Sequence, residues 1–207
     1  YVIMIFMLLA GVNFALHYSF LRGDLKVYFR NREFQVYLSI IGVVFLIIGV
    51  DTFMHQYHTL AETTRYTLFQ VIATITPTGF GTADYELRSP SSQFLLFLLM
   101  LVGGSAGSTA GGMKVMRIYL VAKFVFMEIT RLLHPHAVLP VRMGGRAVPR
   151  DVVTNILGFF ALFILLFVIG TFVMTLLGLD ILTALGATIA TLGNIGPGLG
   201  DVGPTDN

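Results

Sequence analysis

Two apolar stretches, too short to cross a bilayer and too apolar to face water, constrain this chain more than any other feature. The first runs into Ala73-Thr74-Ile75-Thr76-Pro77-Thr78-Gly79-Phe80-Gly81. The second runs into Ala190-Thr191-Leu192-Gly193-Asn194-Ile195-Gly196-Pro197-Gly198, a constant offset of 117 positions (73 to 190). As a helix, residues 62–74 would cover about 20 Å at roughly 1.5 Å per residue, well short of the ~30 Å hydrocarbon layer. Leu68, Phe69, Val71, Ile72 and Ile75 leave that helix without a polar face. Non-helical backbone at membrane depth is tolerated only where it is buried in protein or lines a water-filled path. The stretch therefore reads as a re-entrant helix that enters the membrane, stops at Pro77 and Gly79, and leaves through residues 81–91.

The surroundings agree. The chain is 56% hydrophobic and 12% charged, with a mean hydropathy of +0.83, whereas a soluble domain carries about a quarter charged residues. Apolar runs near the ~20 residues needed to span lie at 1–21, at 36–52 (extendable to 57) and at 152–179, and a shorter one lies at 92–102. Cysteine is absent, which excludes disulfides and thiol chemistry. The chain opens at Tyr1 inside an apolar run, without an initiator Met or a charged n-region, so it reads as part of a longer polypeptide rather than as a signal peptide.

In chain order, residues 1–21 are expected to form one spanning helix with Asn13 and His17 on one face. That pair reads as interhelical hydrogen-bond glue or, alternatively, as lining beside an ion path. Residues 22–32 hold Arg22, Lys26, Arg30 and Arg32 against Asp24, an excess that marks a cytoplasmic connection. The next span rises to the other side, where Asp51, His55 and His58 read as an interfacial surface. Residues 113–133 carry Lys114, Arg117, Lys123, Glu128 and Arg131 and are expected to emerge into the cytoplasm. Residues 135–150 then form a basic linker with Arg142, Arg146 and Arg150, explained by positive-inside topology or by a docking surface for a soluble subunit.

Residues 92–134 would reach about 64 Å as one straight helix, twice the hydrocarbon layer. They are interrupted by Gly103-Gly104-Ser105-Ala106-Gly107-Ser108-Thr109-Ala110-Gly111-Gly112. Each of these glycines costs a helix roughly 1 kcal/mol, so a break is expected. A small-residue packing face would need fewer glycines, and a phosphate cradle would need Lys where Met113 stands. The reading taken is an unwound, mobile intramembrane gate lying below the 76–79 loop on the cytoplasmic side. Lys114 would hold it through carbonyls or repel a cation when it is shut.

Applied throughout, the 117-residue offset lays residues 36–57 on 153–174, and 62–74 on 179–191. The fold class is thus an all-α polytopic membrane protein built from repeated helix–pore helix–filter loop–helix units. Carbonyls of such loops replace a cation's hydration shell, and the negative C-terminal ends of the pore helices favour the same charge. Asp84, Glu86 and Asp201 would sit at the mouth and concentrate cations. A membrane-embedded hydrolase using Ser105, Ser108, His17 or Asp51 lacks a recognisable nucleophile–base pair. A broken-helix secondary transporter fits less well, because the extra helices here lie between spans.

The stretches Thr76-Pro77-Thr78-Gly79-Phe80, Gly103 through Lys114, and Leu192-Gly193-Asn194-Ile195-Gly196-Pro197-Gly198 together resemble the Trk/Ktr/HKT superfamily of potassium and sodium transporters, and within it the bacterial TrkH-type subunits. The resemblance implies four repeats around one pore, potassium as the transported ion and a glycine-rich gate. The filter would comprise Ile75, Thr76, Pro77, Thr78 and Gly79 with Leu192, Gly193, Asn194, Ile195 and Gly196. A sodium-permeable or sodium-coupled relative is the alternative; Ser at a filter glycine would favour it, and Gly79 and Gly196 are both Gly. The division implied is the end of a second repeat (1–35), a third repeat (36–134), a linker (135–151) and a fourth repeat up to its filter (152–207). A homodimer, a cytosolic nucleotide-binding subunit of the TrkA type, the bacterial inner membrane as location and no nucleic-acid partner are also implied. Two loops cannot close a four-fold pore, so the chain is expected to be a fragment.

Overall fold

A computed structural model describes residues 1–56, 59–134 and 140–204; His58 and Tyr57 lie outside them, as does the start of the linker, residues 135–139. The expected first span is two helices, α1 (Val2–Ala10) and α2 (Phe14–Leu21), bent by 105° at the break. Both the stop and the start are written in Gly11-Val12-Asn13. A Cβ on Gly11 would strike the Tyr37 hydroxyl and lie 2.7 Å from Thr76 Cγ2. Asn13 is the N-cap of α2, its Oδ1 accepting from Ala15 N at 2.9 Å. Asn13 therefore does not share a helix face with His17, which corrects the sequence expectation.

A single turn, α3 (Val27–Arg30), leads into α4 (Arg32–His55), whose N-cap Asn31 accepts from Phe34 N at 2.9 Å. The short helix α5 (Leu60–Ile75) is capped by Thr59, whose Oγ1 accepts from Glu62 N at 3.4 Å and donates to Glu62 Oε2 at 2.7 Å. α6 (Pro90–Val102) begins with Pro inside its first turn and Ser89 as N-cap. Ser92 Oγ donates to Asp51 Oδ2 at 2.5 Å, and Ser89 Oγ donates to the same oxygen, fixing α6 to the C-terminal end of α4. Asp51 is thus a joint between helices, with His55 beside it at 3.3 Å. The glycine run separates α6 from α7 (Val115–Leu133), as expected.

The basic linker contains a hairpin that the sequence reading did not anticipate. β1 (Arg142–Met143) pairs antiparallel with β2 (Arg146–Ala147) across Gly144 and Gly145, both at positive φ (+54° and +84°). That backbone twist matches a two-residue hairpin turn. The long α8 (Arg150–Leu176) and the shorter α9 (Ile181–Gly193) complete the described chain.

Among the described residues, α4 and α8 are each long and apolar enough to cross a membrane, with mean hydropathies of 2.3 and 2.9. The pair α4–α5 and the pair α8–α9 pack alike, and α6 lies against both short helices. The main core joins Tyr37 and Ile48 of α4, Val71 and Ile75 of α5, Leu96 and Met100 of α6, and Ile189 of α9. A second cluster at the basic end unites Leu120 of α7, Val141 beside the hairpin and Val153 of α8. At the α8–α9 contact, a Cβ on Gly170 would approach Thr188 Cγ2 to 2.7 Å. Gly170→Leu should separate these helices, cost about 1–3 kcal/mol by overpacking and lower the detergent thermal midpoint; an unchanged midpoint would show that the contact is slack.

Candidate ion-conducting site

The two loops meet. A Cβ on Gly79 would lie 2.6 Å from the Ile195 carbonyl oxygen, and one on Gly196 would lie 3.7 Å from Gly79 Cα. The offset extends to backbone conformation at the glycines: Gly79 and Gly196 both have positive φ (+70° and +110°). At Gly79 and Gly196 the missing side chain makes this accessible. Helix α5 ends at Ile75, with Thr76 Oγ1 donating to Ile72 O at 2.7 Å and Thr78 N to Ala73 O at 3.1 Å. In α9 the helix runs further. Leu192 and Gly193 are helical, not loop residues as expected, because Asn194 takes the left-handed conformation that ends a helix. In α5 the equivalent place holds Pro77, which lacks the N–H.

Outside the contact, a cleft of ≈ 520 Å³ is lined by Gly79, Gly81, Thr82, Ala83, Asp84, Pro197 and Pro204. Behind it, the first loop grips the second. The fully buried Tyr85 donates its hydroxyl to the Gly198 carbonyl, and Gly200 N donates to Glu86 Oε1 at 2.6 Å. Burial, followed by the neighbouring Glu86 and Asp84 carboxylates, pushes the Tyr85 phenol above its ordinary pKa and keeps it a donor. Glu86 is therefore a strut between the loops, half-buried behind the cleft-lining Asp84. Asp84 does line the cleft, and its Oδ1 accepts from Glu86 N at 2.8 Å. Asp201 is exposed, with its backbone N bound to Thr183 Oγ1 at 3.1 Å. Bonds from the Thr183 hydroxyl, then from its N–H, hold the exposed N-cap Asp180 below the usual carboxylate range.

The glycine run closes on itself at its base, through Met113 N to Leu101 O at 3.1 Å and Val115 N to Gly104 O at 3.0 Å. Gly103, Gly107, Gly112 and Lys114 all hold positive φ, near +70°. The run lies on the α1–α2 elbow. Ser105 N donates to Gly11 O (2.9 Å), Thr109 Oγ1 to Ala10 O (3.1 Å), and Phe14 N to Gly107 O (3.0 Å). Lys114 Nζ donates to Ala110 O, in keeping with a lysine that holds the run through a carbonyl. Gly111 abuts the Gly193 carbonyl so closely that a Cβ would collide with it. The run thus sits against the end of α9, not simply below the 76–79 loop, because Gly11 of the elbow occupies the place next to Thr76.

Two buried residues escaped the sequence reading. Tyr85 was legible only as an aromatic set between two acids after a glycine turn. Glu33 looked like one more charge in a basic connection, yet it is 4% exposed and its Oε1 accepts from Ala106 N at 2.6 Å. The hydrolase candidates do not assemble. His17 is bound by Tyr28 Oη (2.7 Å) and Leu9 O (2.9 Å), and Ser108 Oγ donates to Ser105 O (2.6 Å).

Tyr85→Phe should loosen the grip between loops by about 1–3 kcal/mol, the cost of a buried carbonyl left unpaired, read as a lower thermal midpoint. A variant melting with the parent would remove the clamp from the account.

Residues 1–205 match the family profile described as cation transport protein, TrkH. The Trk system potassium uptake protein TrkH of Escherichia coli K12 is 39% identical over 209 residues, covering 97% of this chain and 42% of that protein. TrkG of the same organism is 31% identical over 196 residues, covering 94% of this chain and 40% of its own length. The crystal structure of the potassium transporter TrkH from Vibrio parahaemolyticus superposes with a TM-score of 0.90 at 36% identity, covering 96% of this chain and 43% of that one. The chain spans about two fifths of the length of the curated relatives it matches. With its apolar helices and these matches, the chain is an integral membrane protein belonging to the TrkH family of cation transport proteins.

Proposed function

We propose that this chain forms part of a potassium-uptake pore, with its two loops as adjoining arms of a carbonyl-lined selectivity filter. The observation that carries the reading is the backbone contact of Gly79 with Ile195 and Gly196 where α5 and α9 end. Two helix C-termini, each carrying roughly half a negative charge, converge where a cation would be stripped of water. Positive φ at Gly79 and Gly196 lets backbone carbonyls, rather than side chains, supply the oxygens. Asp84 in the outer cleft raises the local cation concentration. Potassium is the ion because the relatives are potassium uptake proteins.

The glycine run from Gly103 to Gly112, with Lys114, acts as the gate beneath these arms. Residues 36–134 are taken as one repeat and 152–207 as the next, with 1–35 ending the preceding repeat and 135–151 as linker. The assembled protein is a homodimer in the bacterial inner membrane, regulated by a cytosolic nucleotide-binding subunit of the TrkA type. The basic end, where the hairpin, α7 and α8 meet, offers that subunit a firm surface.

Cation flux into liposomes with the full-length protein tests the reading, with K⁺, Rb⁺, Na⁺ and Li⁺ compared. K⁺ and Rb⁺ should pass in preference, and equal flux for all four would remove the filter from these loops. Lys114→Ala should change the amount of flux while leaving ion preference intact; a change of preference alone would displace Lys114 from the gate.

A further inference from the structure

Glu33 is the least expected buried charge in the molecule. It stands in the first turn of α4, 4% exposed, in a connection otherwise rich in Arg and Lys. A carboxylate removed from water is costly unless it is hydrogen-bonded or paired. An acid in a helix's first turn usually faces solvent and is satisfied by the helix dipole. This one instead reaches 73 residues along the chain to the Ala106 N–H, at 2.6 Å in the middle of the glycine run. The rest of the seat is backbone: the Ala10 and Gly11 carbonyls and the Phe14 N–H of the elbow.

We propose that Glu33 is a positioning residue that latches the glycine run in its closed seat against the end of α9, acting through the Ala106 N–H. The inference rests on the reading of that run as the gate, and names what holds it shut. A charge-assisted bond is about twice as strong as a neutral one. Apart from the Lys114 Nζ bond to Ala110 O within the run and the Thr109 hydroxyl bond to Ala10 O, the contacts that fasten the run to the elbow are neutral peptide hydrogen bonds, on a glycine-rich segment with no apolar side chain larger than Ala106 or Ala110 to anchor it. Glu33 therefore sets the balance between seated and displaced states, and through α4 it ties that balance to the basic connection at residues 22–32.

The test uses the full-length protein in liposomes, with ⁸⁶Rb⁺ uptake, the K⁺/Na⁺ ratio and the thermal midpoint measured together. Glu33→Ala should raise uptake roughly tenfold or more, the loss expected for a hydrogen bond to a charged group, at an unchanged K⁺/Na⁺ ratio. Glu33→Gln keeps an accepting oxygen without the charge and should fall between. Phe14→Pro provides an arm that does not depend on Glu33 variants folding. It deletes the N–H given to Gly107, while proline suits the first position of α2 and Asn13, at φ −58° and ψ 123°, already has the conformation a following proline requires. It too should raise uptake. Deleting residues 105–110 is the control for the gate itself. Should the deletion raise uptake while the Glu33 and Phe14 variants stay at the parent level, the latch is overturned and the gate stands. If the deletion is also silent, the gate reading falls. Reduced uptake with an altered K⁺/Na⁺ ratio in Glu33→Ala would assign Glu33 to filter packing and overturn the latch.

Discussion

The structure depends on the mutual satisfaction of two broken helices. Within a membrane an unpaired peptide group costs several kcal/mol, so a break survives only where something else supplies its partners. The α1–α2 elbow frees the carbonyls of Ala10 and Gly11 and the N–H of Phe14; the glycine run provides Ser105 N, Thr109 N and Oγ1, and the Gly107 carbonyl to meet them. Each break is the other's cap. The exchange is polar and local, and it is flanked by Val12, Met113 and Val115 of the main core.

Around this exchange the two loops are held from outside and from behind. Tyr85 and Glu86 belong to the segment that follows the first loop, and both bind the second. Gly79 and Gly196 allow the loop backbones to touch, and Gly186 and Gly198 let the return of the second loop lie on α9. The two loops are therefore one connected unit, while the glycine run is fastened to the elbow by hydrogen bonds.

The basic end has its own small core. Lys123 Nζ donates to the Arg142 carbonyl at 2.8 Å, the Arg117 guanidinium lies 3.9 Å from the centre of the Phe159 ring, and Leu120, Val141 and Val153 pack together. These contacts join α7 to the hairpin and to α8. A displacement of the hairpin would be felt along α7, whose N-terminus is Lys114 and the end of the glycine run.

By itself the sequence determined the membrane class, the two short apolar helices 117 residues apart and the break at residues 103–112, because apolar length and glycine content are local properties. It could not show that residues 1–21 bend. Gly11 and Asn13 carry stop and start signals, but a helix bends there only when another segment takes up the freed carbonyls, and that segment lies over 90 residues away. Nor could it place the run against Gly193, tie Glu86 to the second loop, or distinguish Glu33 from the other charges around it. Those outcomes rest on which backbone groups come within 3 Å of one another, which the tertiary structure alone decides.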